Sequence, residues 1–113
     1  MEDVLNMLRD CEYLSENYED DHFGECTRDE VQQANYECLY FRKLADYLET
    51  MMNSCKYSDE EMVEKMQSYF NKMYSDFKKN CHKTMETKKK ATMLKDNAFY
   101  SVYGVLEDAL NQV

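Results

Sequence analysis

An all-α fold, a compact bundle of about four antiparallel helices with no sheet, is what this sequence predicts, and three observations carry it. The 113 residues include no proline and only two glycines, Gly24 and Gly104, so residues that interrupt helices are nearly absent. Apolar residues recur at helical spacing. From Val31 through Ala34, Cys38, Phe41, Ala45, Leu48 and Met52 to Cys55 they advance by three or four positions at each step, which draws one seam along a helix. Two Ser/Thr-x-x-Glu boxes, Thr27 with Glu30 and Ser58 with Glu61, mark where helices begin. The length suits a single domain over residues 1–113. Leu, Val, Phe and Ile make up only 20 of 113 residues and the net charge is −9, a combination typical of disordered chains. Ten tyrosines and nine methionines supply the missing apolar area, and they keep helical spacing. Methionine without isoleucine makes for an adaptable core.

The first predicted helix covers residues 3–17, with Val4, Met7, Leu8, Cys11, Leu14 and Tyr18 on one face and Arg9, Asp10, Glu12 and Glu16 away from it. Residues 18–27 break the pattern, contain Gly24 and gather negative charge, and read as a loop. The second helix runs from Arg28, behind the Thr27 cap, to about residue 54. Besides its seam it carries Tyr36, Tyr40 and Tyr47 on nearly the opposite side, with Leu44 and Met51 between. A helix apolar on two faces either sits between other helices or shows one face to a partner or a second copy of the chain, so this helix is central. After a connection at Asn53 to Tyr57, Ser58 caps the third helix, which puts Met62, Met66, Tyr69, Phe70, Met73, Phe77 and Cys81 on one side. Lys65, Lys72, Lys79 and Lys83 form a row along its flank. A fourth helix turns Leu94, Ala98, Phe99, Val102, Val105, Leu106, Ala109 and Leu110 inward. Thr84 or Thr87 can cap it. The alternative is one bent helix of about 50 residues, about 75 Å long.

Charge is unevenly placed. Residues 1–61 hold 17 acids against 5 Lys or Arg, a net of −12, and residues 62–113 hold 6 acids against 9 lysines, a net of +3. The two halves are expected to attract. An acidic chain of this kind disfavours nucleic acid and anionic membrane, whose binding needs clustered cations, and suits a protein partner with a basic surface. The five cysteines, at 11, 26, 38, 55 and 81, are odd in number, and Cys11, Cys38, Cys55 and Cys81 lie on apolar stripes as small hydrophobes do, so a reducing, cytoplasmic compartment is expected. The N-terminus lacks a signal-like segment, and no apolar run approaches the ~20 residues that span a bilayer.

Reactive motifs are weak. Glu19, Asp21, Phe23, Gly24, Glu25, Thr27 and Glu30 occupy calcium-loop positions 1, 3, 5, 6, 7, 9 and 12, but Glu at position 1 and Phe at position 5 argue against an EF-hand. Glu19 and His22 have the Glu-x-x-His spacing of di-iron bundles, yet the matching position before His82 is Lys79. There is no Cys-x-x-Cys and no close His pair for zinc, no Gly-rich phosphate loop, and no Cys–His neighbour pair placed for nucleophilic catalysis. No metal, no cofactor and no catalytic residue is nominated.

Three functions follow in order of preference. The first is a non-catalytic binding protein, of the type of phage or viral inhibitors that imitate nucleic-acid charge and block a basic surface. Its contacts would be Glu12, Glu16, Glu19, Asp20, Asp21 and Glu25, with Tyr36, Tyr40 and Tyr47 as aromatic contacts. The second is a nucleic-acid-binding module using the basic region from Lys78 to Lys95, with Lys79, Lys83, Lys88, Lys89 and Lys90 at its centre. It lacks arginine, the residue best suited to bidentate phosphate and base contacts. The third is a small helical enzyme or metal-binding protein.

Overall fold

The computed structural model describes residues 1–81 and 86–113, and over these it is all-helical with no strand. Five helices follow one another: α1 (Glu2–Glu16), α2 (Tyr18–Asp21), α3 (Arg28–Ser54), α4 (Asp59–Cys81) and α5 (Glu86–Leu110). The four long ones are the helices expected, and α2 is a single turn inside the expected loop. Local bonding explains that turn. The Asp21 and His22 amides donate to the Asn17 and Tyr18 carbonyls at 2.9 and 3.0 Å, and the Tyr18 and His22 rings stack at 4.3 Å. Gly24, at φ +79°, then turns the chain through a conformation that other residues rarely adopt.

Both predicted caps form. Thr27 Oγ1 accepts from the Glu30 amide at 3.2 Å, and the Glu30 carboxylate accepts from the Thr27 amide at 3.4 Å, closing the box at the start of α3. Ser58 Oγ accepts from the Glu61 amide at 3.2 Å, but Glu61 answers the Ser58 hydroxyl rather than its amide.

α4 and α5 are separate helices. The Tyr74 hydroxyl donates to Asp96 Oδ1 at 3.0 Å, whereas one continuous helix would set residues 22 apart by about 33 Å. Thr87 lies inside α5 rather than at its cap, and Thr84 lies outside the described residues. The direction of packing differs from a purely antiparallel arrangement. Arg9 meets Asp46 and Glu49 while Glu12 meets Arg42, so α1 and α3 are antiparallel. Tyr36 meets Lys95 and Tyr40 meets Phe99, an advance in the same direction, so α3 and α5 run parallel in direct contact.

α3 is central, as its two apolar faces require. Its seam residues Ala34, Cys38, Phe41, Ala45 and Leu48 are buried, together with Tyr40, Leu44 and Met51. Val4 and Leu8 of α1, Met66 and Phe70 of α4, and Ala98, Phe99, Val102, Leu106 and Ala109 of α5 complete the core. On α1 the buried line is Val4, Leu8 and Ser15 with half-buried Cys11 between, steps of 4, 3 and 4. Leu14 falls one position off that line and is 60% exposed, contrary to its expected place inside.

Candidate functional site

The acidic residues named from the sequence divide into two groups. Glu12 is not a free surface carboxylate. Arg42 Nε donates to its Oε1 at 2.7 Å and Arg9 Nη1 to its Oε2 at 3.0 Å, and its side chain is only 14% exposed. Arg9 also donates to Asp46 at 2.8 Å and Glu49 at 2.6 Å, and Arg42 lies 3.9 Å from Glu16. Burial raises the Glu12 pKa, but the hydrogen bonds from Arg42 and Arg9 outweigh it and hold the carboxyl below the usual glutamate range. Glu12 therefore joins α1 to α3. The ion pairs of Arg9 and Arg42 join α1 residues to one another or to α3 and do not reach the basic half.

The second group is different. Glu19, Asp20, Asp21 and Glu25 are exposed and make no ion pair with any described residue, and Glu16 is exposed beside them. The end of α1, α2 and the turn after it carry these carboxylates, and Phe23, in the same turn, is 86% exposed. Glu30 anchors the loop from behind: its carboxylate accepts from the Tyr18 hydroxyl at 2.8 Å and from Thr27, and these bonds lower its pKa and raise that of Tyr18. The result is an acidic tip that also exposes one large apolar ring. Nothing in the pattern of the sequence nominates Phe23 beyond its position, a lone aromatic in an acidic run and off every helical stripe.

The tyrosine face of α3 packs inside the bundle. Tyr40 is buried and stacks on Phe99 at 4.0 Å, Tyr47 is half-buried and stacks on Tyr69 at 4.4 Å, and the ring of half-buried Tyr36 lies under the Lys95 ammonium at 5.2 Å. α4 and α5 thus cover the surface that a partner or second copy would use. The exposed tyrosines are others: Tyr13 on α1, Tyr57 between α3 and α4, and Tyr100 and Tyr103 on α5. Of the lysine patch, Lys79 and Lys89 are exposed, Lys83 lies outside the described residues, and so do the side chains of Lys88 and Lys90.

Chemically, the acidic tip can hold cationic groups by charge and an apolar contact by Phe23. Among the described residues no three His, Cys, Asp or Glu side chains converge to hold a metal ion, and the helical turn at Tyr18–Asp21 replaces the extended start of a calcium loop. Cys11, Cys26, Cys38 and Cys55 are free thiols, and burial pushes the Cys11 and Cys38 thiols up, away from the reactive thiolate. No described helix is long and apolar enough to cross a membrane. The chain matches no family model, no curated protein and no solved structure.

Proposed function

We propose that this chain is a non-catalytic binding protein whose acidic tip docks on a basic surface of a protein partner, of the kind that otherwise holds nucleic acid. One observation carries the reading: Glu19, Asp20, Asp21 and Glu25 are exposed without ion pairs to described residues in the segment that also exposes Phe23 at 86%, whereas Glu12 is neutralised by two arginines. Carboxylates held apart from internal cations keep their charge for an external one, and an exposed aromatic ring in a charged segment is a usual part of a contact hot spot.

The test is binding to a basic DNA-binding protein in competition with duplex DNA, at low and at physiological salt. The variant with Glu19→Gln, Asp20→Asn, Asp21→Asn and Glu25→Gln should bind at least about tenfold more weakly at low salt and show a flatter salt dependence. A control with Glu60→Gln, Glu64→Gln, Asp76→Asn and Asp108→Asn removes the same charge from exposed positions elsewhere. Equal losses in the two variants would reduce the effect to net charge and defeat the assignment to the tip.

A further inference from the structure

α4 reaches its neighbours through large rings, Phe70, Tyr74 and Phe77, all of which meet Phe99 of α5, and it stands further from α5 than α3 does. The packing leaves a groove between α4 and α5 of about 190 Å³, lined by Phe70, Asn71, Tyr74, Phe99, Tyr100 and Tyr103. Five of the six are aromatic. Tyr100 and Tyr103 are 63% and 47% exposed, so water wets rings that the fold does not need to bury.

The angles between the rings say what shape they accept. Phe70 and Tyr103 lie 5.4 Å apart at 44°, Phe70 and Phe99 5.8 Å apart at 73°, and Tyr74 and Tyr100 6.3 Å apart at 61°. These rings pack directly against one another at mixed angles, so the aromatic lining of the groove is not a flat stacking surface. The volume is the liquid share of about six water molecules, which suits a group of about five heavy atoms.

The electrostatics favour a cation. Aromatic faces carry negative potential, and Asp96 stands behind the wall, accepting from the Tyr74 hydroxyl. Tyrosine rings of this protein already receive ammonium groups: Lys65 on Tyr57 at 5.0 Å, Lys78 on Tyr74 at 4.3 Å and Lys95 on Tyr36 at 5.2 Å. No cation of a described residue lies over Tyr100 or Tyr103. A primary ammonium entering a groove walled mainly by ring carbon would leave its water hydrogen bonds unreplaced, but a methylated ammonium has none to lose and buries its methyl groups against the rings.

We propose that the groove between α4 and α5, through the exposed rings of Tyr100 and Tyr103, binds a methylated ammonium group, carried by a free quaternary amine or by a trimethylated lysine side chain. The proposal is independent of the acidic tip, and its test needs no protein partner. Choline is titrated into the full chain at fixed ionic strength with intrinsic tyrosine fluorescence or calorimetry as the readout, beside 3,3-dimethylbutan-1-ol, which has the same shape without the charge. Choline should saturate the site and bind about tenfold more tightly than the neutral alcohol, the scale of one desolvated cation–π contact. Tyr100→Leu and Tyr103→Leu should each weaken choline binding about tenfold, while Tyr100→Phe, which keeps the ring, stays within about threefold of wild type. Both positions are exposed, and a thermal melt confirms that each variant is folded. A short peptide bearing trimethyl-lysine, compared with its unmodified form, separates the sources. Tighter binding than choline, lost without the methyl groups, assigns the side chain, and binding no tighter than choline assigns the free amine. Equal affinity for choline and the neutral alcohol, no effect of removing either ring, or no saturable response to choline overturns the proposal.

Discussion

Cys55 closes α3 in the left-handed region, at φ 56°, the one non-glycine residue of the described chain with positive φ. An L side chain there costs about 1 kcal/mol, and the exposed thiol offers only a long contact to the Met52 carbonyl, 3.8 Å, in return. Cys55→Gly should therefore stabilise the fold by about 0.5–1 kcal/mol after the greater freedom of glycine in the unfolded chain is set against the relief, read as a higher denaturant midpoint at unchanged slope. Glu12 gives the opposite case. Its folded pKa is lower than in the unfolded chain, so its contribution is complete above about 4.3 and disappears as pH falls through the lower folded value. Glu12→Gln should cost about 1 kcal/mol at pH 7, discounted because both arginines are partly in water, and should flatten the loss of stability between neutral and acid pH. An acid limb as steep as that of wild type would contradict the pairing. The Glu12 role was not legible beforehand. Periodicity placed it away from the apolar face, but only the antiparallel approach of α3 brings Arg42 to it, and that register is not written in either helix alone.

At the scale of elements, what the sequence declares most firmly is whatever local chemistry fixes. The Thr27 and Ser58 side chains cap their helices and the seam is buried from Ala34 to Leu48, because spacing and capping need no knowledge of neighbours, whereas Cys55, the last position read into the seam, is exposed. The connection at residues 18–27 contains an unforeseen turn of helix because the Tyr18–His22 stack is a choice between local conformers that composition does not weigh. The tyrosine face of α3 was open to two fates, and the rings of Phe99 and Tyr69 decide it. Phe99 is 2% exposed and holds α5 to both α3 and α4, so Phe99→Ala should cost about 3–5 kcal/mol, whereas Tyr100→Ala, one residue on and 63% exposed, should cost less than about 0.5 kcal/mol. Of the four long helices α4 makes the fewest backbone approaches, and it leaves the groove beside α5 open. Its amides should exchange with solvent before those of α3 in native-state hydrogen exchange, and equal protection of the two helices would show that the groove does not weaken α4's attachment.

For the molecule as a whole, the unequal charge has a thermodynamic signature. Glu16, Glu19, Asp20, Asp21 and Glu25 repel one another at one end, and the direct ion pairs of the described residues involve only Glu16 of these, at 3.9 Å. Salt acts on two quantities of opposite sign. It weakens the Arg9 and Arg42 pairs between α1 and α3, and it screens the repulsion at the tip. The pairs are short and hydrogen-bonded, at 2.6–3.0 Å, and direct contacts at that range lose little to a Debye length of about 10 Å, whereas repulsion between neighbouring exposed carboxylates acts over longer distances and is largely removed. Screening of the repulsion therefore wins. Raising salt from about 10 mM to about 150 mM should stabilise the protein by about 0.5 kcal/mol, an increase of roughly 2–4 °C in Tm for a domain of this size. The variant with Glu19, Asp20, Asp21 and Glu25 neutralised should be more stable than wild type at low salt and should lose most of that salt dependence. A fall in Tm with salt would mean that the α1–α3 pairs dominate instead. Self-repulsion kept at one end of a small domain, where neutral residues would fold better, is the stability cost expected of a surface retained for a cationic partner.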